Sequence, residues 1–119
     1  MLHTQIMQGA PFDIFLSADE ARPILLEDKL ETDSFIYAIG RLVFWQNNVI
    51  VANKDSFSKF SGKITIANPR LAPYGFAARE FLSNNKSGQL AVNKLIRGNN
   101  VNQSYHFIHS GNVDAGFVS

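Results

Sequence analysis

Three places in the chain combine residue types suited to holding a small anion: Ser17-Ala18, Pro73-Tyr74-Gly75 and Asn100-Val101-Asn102. Each reads as a point where a strand or loop delivers the backbone into a helix. The first amides of a helix have no acceptor within it, and its aligned peptide dipoles favour negative charge there. Ser17 adds a hydroxyl donor, and Gly75 would let a ligand come close to the backbone. Singly, each is most often an ordinary helix start, because serine, proline and asparagine take these positions for capping alone. Convergence of all three would build an anion site without a cationic side chain.

Other chemistry is poorly supported. His106 and His109 are three apart on an expected helix, but no cysteine or closely spaced carboxylate completes a metal set, so both read as ordinary surface or half-buried histidines. Ser17 stands near Asp19 without a G-x-S-x-G elbow or a placed histidine base, which argues against a hydrolase. Arg70, Arg79 and Arg97 are scattered through separate segments, and 11 basic against 10 acidic residues leave a net charge of +1, so no field favours a nucleic acid. With no cysteine in 119 residues, disulfide scaffolds and thiol nucleophiles are excluded. No apolar run approaches the ~20 positions needed to cross a bilayer, and no charged start followed by an apolar stretch marks an export signal.

The elements that must position these residues follow an α/β pattern, short apolar runs alternating with amphipathic stretches. Leu2–Gln8 reads as the end of a helix stopped by Gly9. Asp13–Ser17 is expected to be a buried strand, followed by a helix from Asp19 or Glu20 to Lys29 or Leu30. Phe35–Ala38 is a weaker strand candidate, and Leu42–Trp45 and Val49–Ala52 flank the turn-prone pair Asn47-Asn48. The polar stretch Asn53–Gly62 divides the chain into lobes covering residues 1–54, with a hinge strand, and 55–119. Beyond it the pattern gives a strand at Lys63–Ala67, a helix from Pro73 towards Leu82 halted by Asn84-Asn85 and Ser87-Gly88, and a short strand around Leu95-Ile96. A helix with Val101, Tyr105 and Ile108 inward follows, stopped by Gly111, and then a strand at Ala115–Val118. Trp45 and the phenylalanines at 15, 44, 76, 81 and 117 are expected in the core, as is Tyr105. In open α/β sheets ligands bind outside the C-terminal strand ends, where Ser17 and the Asn68–Gly75 loop would both fall.

The blocks Gly9-Ala10-Pro11-Phe12-Asp13-Ile14-Phe15-Leu16-Ser17-Ala18-Asp19, Ile66-Ala67-Asn68-Pro69, Ala72-Pro73-Tyr74-Gly75-Phe76-Ala77-Ala78-Arg79-Glu80 and Gly111-Asn112-Val113-Asp114-Ala115-Gly116-Phe117-Val118 resemble, in order and spacing, the molybdate-binding proteins of bacterial ABC transporters. That resemblance spans nearly the whole chain. It implies a two-lobed α/β fold of the periplasmic-binding-protein type (type II). It further implies a cleft for molybdate or tungstate, a monomer working in the periplasm, delivery to a membrane permease, and neither a reaction nor a cofactor. In such proteins hydroxyls and backbone amides hold the oxyanion, and the matching positions here are Ser17, Tyr74 and Val101. They would contact the oxygens of molybdate and not the metal itself.

Tyr74 replaces the small residue usual in the family, which a backbone donor tolerates if the ring points outward. The family's first strand and a serine-rich segment would precede Met1, and Ser119 falls where many relatives place a ligand tyrosine. The stretch therefore reads as part of a longer fold, with weak binding at best on its own. The same architecture also serves as the effector domain of transcription regulators, and a nonfunctional remnant is the third reading.

Overall fold

Isoleucine and threonine alternate through Ile64–Ala67, and all four residues are buried, which is the signature of a strand covered on both faces. In the computed structural model, which describes residues 2–49, 54–91 and 94–119, this strand (β2) lies inside a four-stranded sheet. The other strands are β1 (Val43–Gln46), β3 (Leu95–Gly98) and β4 (Ala115–Val118), in the order β1-β4-β2-β3. The two fully buried strands, β2 and β4, take the middle and the two partly exposed ones the edges. Strand β2 runs parallel to β3, with Ala67 opposite Gly98, and parallel to β4, while β1 pairs antiparallel with β4.

Helices cover both faces of this sheet, as an α/β fold requires. Helix α4 (Pro73–Ser83) turns Gly75, Ala78 and Leu82 inward at helical spacing. Ala78 and Leu82 join Ile64, Ile66, Phe117 and Phe57 of the short helix α3 (Lys54–Ser58) in one core cluster. Phe44 and Phe81 complete it, with Phe117 5.3 Å from Phe44 and 5.4 Å from Phe81 between ring centroids. On the opposite face α6 (Val101–His109) buries Ser104 and Ile108. A side chain at Gly116 of β4 would press on the Ile108 tip and on Thr65, so this face is built for close helix approach. Trp45 of β1 stacks on Tyr105 of α6 at 5.2 Å.

The chain divides into two compact units, residues 1–39 and 40–119. The first holds α1 (Leu2–Met7), which ends in Gly9 at φ 89°, and α2 (Ala21–Leu30). The strands expected at Asp13–Ser17 and Phe35–Ala38 are not formed. Ile14 is 78% exposed, Leu16 66% and Phe35 85%, and no described strand runs beside either segment to supply a hydrogen-bonding ladder. Apolar composition alone does not make a strand without that partner. The helix after Ser17 begins at Ala21, a residue or two beyond the expected start. The strand expected at Val49–Ala52 lies, apart from Val49, outside the described residues.

In the second unit β2, β3, α4, α6 and β4 fall where periodicity puts them. Two differences stand out. Ser87-Gly88 does not stay outside helix but lies within α5 (Lys86–Ala91), with Gly88 buried. Phe76 and Tyr105, both expected in the core, are 45% and 42% exposed, and Phe76 lies under the Arg79 guanidinium.

Candidate anion site at the strand ends

Strands β2 and β3 end side by side, and both hand the chain directly to a helix. The Asn68 N–H donates to the Gly98 carbonyl at 2.7 Å, which ties the first residue beyond β2 to the last residue of β3. The Asn68 carbonyl accepts from the amides of Leu71 (3.0 Å) and Ala72 (2.9 Å), and its side-chain oxygen accepts from the Arg70 amide. The tight loop so formed delivers the chain into α4. Asn99 and Asn100 lead into α6 in the same way, so the first turns of both helices rest on one edge of the sheet.

Their donors can be counted. In α4 the residue before the first turn is Ala72, whose side chain cannot cap, and Pro73 in the first position carries no N–H. The Phe76 amide is the first to bond back, to the Ala72 carbonyl. Tyr74 and Gly75 are left as the two amides without an intrahelical acceptor. In α6 the Asn100 side chain accepts from Gln103 N–H at 2.9 Å, and Gln103 Oε1 accepts in return from Asn99 N–H. The Ser104 amide bonds back to the Asn100 carbonyl. Val101 and Asn102 are therefore the unspent amides of this helix.

Neither first turn contains a carboxylate that would neutralise these donors internally. Close seating brings the turns onto the strand ends. A methyl at Gly75 would overlap the Ala67 carbonyl, and one at Gly98 would lie 2.8 Å from Ser104 Oγ and 2.9 Å from Ser104 N. The arrangement presents four amide donors and two positive helix ends at the C-terminal ends of the parallel pair β2 and β3, which suits a small, fully ionised anion.

Of the residues singled out from sequence, Tyr74 and Val101 are thus brought to the same edge. Ser17 belongs to the first unit, half-buried, where its Oγ accepts from the Asp19 amide at 3.3 Å; Asp19 in turn accepts from the Arg22 amide and pairs with its guanidinium. Gly75 and Asn102 join Tyr74 and Val101 as donors. Sequence could have given them, since they are the second unspent amide of each first turn.

His109 stacks on the Tyr105 ring at 5.7 Å and His106 meets that ring edge-on, so both histidines belong to an aromatic cluster with Trp45. Among the described residues no three metal-ligating side chains come together. A hollow of about 630 Å³ opens at the other end of the sheet, beside Ser61, Lys63, Lys94 and Asp114. Its groups already serve one another: Asp114 accepts from the Lys63 amide and Lys94 Nζ donates to the Ser61 carbonyl.

The chain thus combines a mostly parallel α/β sheet with two helix starts at the C-terminal ends of its parallel strands. The family of bacterial extracellular solute-binding proteins matches residues 2–119, and the chain belongs to it. Over 98% of its length the chain is 36% identical to the molybdate-binding protein ModA of Azotobacter vinelandii and 38% identical to that of Rhodobacter capsulatus. The structure of the periplasmic molybdate-binding protein of A. vinelandii superposes with a TM-score of 0.74 at 32% identity, covering 98% of this chain and 54% of that one. The substrate-binding domain of a putative molybdenum ABC transporter from Clostridium difficile gives the same TM-score at 27% identity. The chain spans about half the length of the curated relatives it matches, 49% and 48%. The periplasmic-binding-protein-like α/β fold inferred from the sequence blocks is therefore the fold of this chain.

Proposed function

We propose that the chain binds molybdate or tungstate, and that the whole protein of which such a fold forms part presents the anion to an ABC-transporter permease outside the cytoplasmic membrane. The observation that carries this reading is the pair of helix starts at one sheet edge, α4 without a side-chain cap and α6 capped by Asn100 only at Gln103, with the Tyr74, Gly75, Val101 and Asn102 N–H outside the helical bonding. Relatives named as molybdate-binding proteins, alike over nearly all of this chain, support the choice of anion. Ser17 is proposed as an oxyanion-binding hydroxyl on the sequence resemblance alone.

Hydrogen bonds from such donors to a charged oxygen each contribute about 1.5–3 kcal/mol. A site of donors selects by protonation state. Molybdate and tungstate are fully ionised near neutral pH, whereas phosphate brings O–H groups that need acceptors. The nearby Asn68 and Asn100 side-chain oxygens each already accept one bond, from the Arg70 and Gln103 amides. Sulfate meets the same donors and is separated only by size. No bond is made or broken, so affinity is the whole of the activity.

Calorimetric titration with molybdate, tungstate, sulfate and phosphate tests the assignment. Saturable binding of molybdate and tungstate, with weaker sulfate and no phosphate binding, is expected. Silence toward both metal oxyanions in a folded sample would remove it.

A further inference from the structure

The first turn of α6 is fixed by its own sequence, Asn100 Oδ1 accepting from the Gln103 amide and Gln103 Oε1 from the Asn99 amide, whereas α4 has no side-chain cap at all. Something other than a cap must hold the Tyr74 and Gly75 amides in one direction. Two holds are backbone: the Asn68 carbonyl gathers the Leu71 and Ala72 amides, and Gly75 sits against the Ala67 carbonyl. The third is a side chain. The half-buried Tyr74 ring lies across Gly40, the first residue of the second unit. A methyl placed on Gly40 would overlap the phenol oxygen and stand 2.9 Å from Cζ and 3.3 Å from Cε1.

We propose that the Tyr74 side chain is a positioning residue of the anion site: seated on the bare backbone of Gly40, it anchors the uncapped first turn of α4 and so aims the Tyr74 and Gly75 amides. The inference rests on the proposed anion site and adds to it a role for a ring that a purely backbone donor does not need. A capped helix spends a side chain and one amide on holding its first turn. Here the anchoring is done from outside the turn, and both amides stay free. Gly40 is then required for its lack of a side chain, because any Cβ there displaces the ring.

A double-mutant cycle on the whole chain decides the matter, with Tyr74→Ala, Gly40→Ala and the pair read both by molybdate affinity and by thermal unfolding without anion. Each single change is expected to weaken molybdate binding about tenfold, and the pair by about the same tenfold instead of a hundredfold, because both remove one anchor. Tyr74→Phe, which keeps the ring and loses the oxygen, falls between wild type and Tyr74→Ala. Coupling in the unfolding temperatures with no change in affinity would make the contact merely structural and overturn the proposal. Additive losses in affinity would overturn it as well. Failure of the anion site itself appears separately, as a wild-type chain that folds and does not respond to molybdate or tungstate, and the positioning role falls with it.

Discussion

At Gly75 the chain has no room for a side chain, because a methyl would run into the Ala67 carbonyl at the end of β2. Gly75→Ala is expected to push the first turn of α4 off the strand end, costing about 1–3 kcal/mol in a urea unfolding titration. Molybdate affinity should fall with it. Ser104 presents the opposite case: its residue is fully buried in α6, yet its hydroxyl has no partner. Removing a buried donor that bonds to nothing relieves a desolvation cost, so Ser104→Ala is expected to leave stability unchanged or raise it by about 1 kcal/mol in the same titration. A loss of more than that amount would mean the hydroxyl makes a bond in solution. The sequence carried no sign of this orphan. Serine at an inward helical position reads the same whether or not its oxygen is satisfied.

Whole elements depend on a few such residues. Asn100 closes the first turn of α6 on the Gln103 amide, and Asn100→Ala is expected to destabilise the chain by about 1 kcal/mol, measured by thermal unfolding. The elements that were legible in the sequence are those whose signals are local: Pro73 opening α4, the spacing of Val101, Tyr105 and Ile108 in α6, the Gly111 stop at φ 76°, and the β-branched run of β2. The two open helix ends were legible for the same reason, since capping chemistry is a property of neighbouring residues. What was not legible depends on partners. Asp13–Ser17 and Phe35–Ala38 have strand-like composition, but no ladder forms beside them among the described residues. Phe57 was hidden in a stretch read as a polar border, where one aromatic residue among serines and lysines gives no periodicity, yet it is 6% exposed and central to the core.

At the scale of the whole molecule, the second unit stands on the packing of few large side chains. Phe117 contacts the rings of Phe44, Phe57 and Phe81, and Phe117→Ala is expected to cost about 3–5 kcal/mol, enough to remove most of the stability of a small domain in a denaturant titration. This core lies on one face of the sheet and α6 on the other, and between them they hold the ends of β2 and β3 in register, which sets the spacing of the two helix starts. The central claim is that four amides at this edge receive a single oxyanion. An amide-resolved NMR titration of the folded chain with molybdate tests it most directly, and it detects binding even when affinity is weak. The account predicts that the N–H signals of Tyr74, Gly75, Val101 and Asn102 move together and saturate at one common dissociation constant. Shifts confined to residues away from the ends of β2 and β3, or no saturable shift at any of the four, would contradict it.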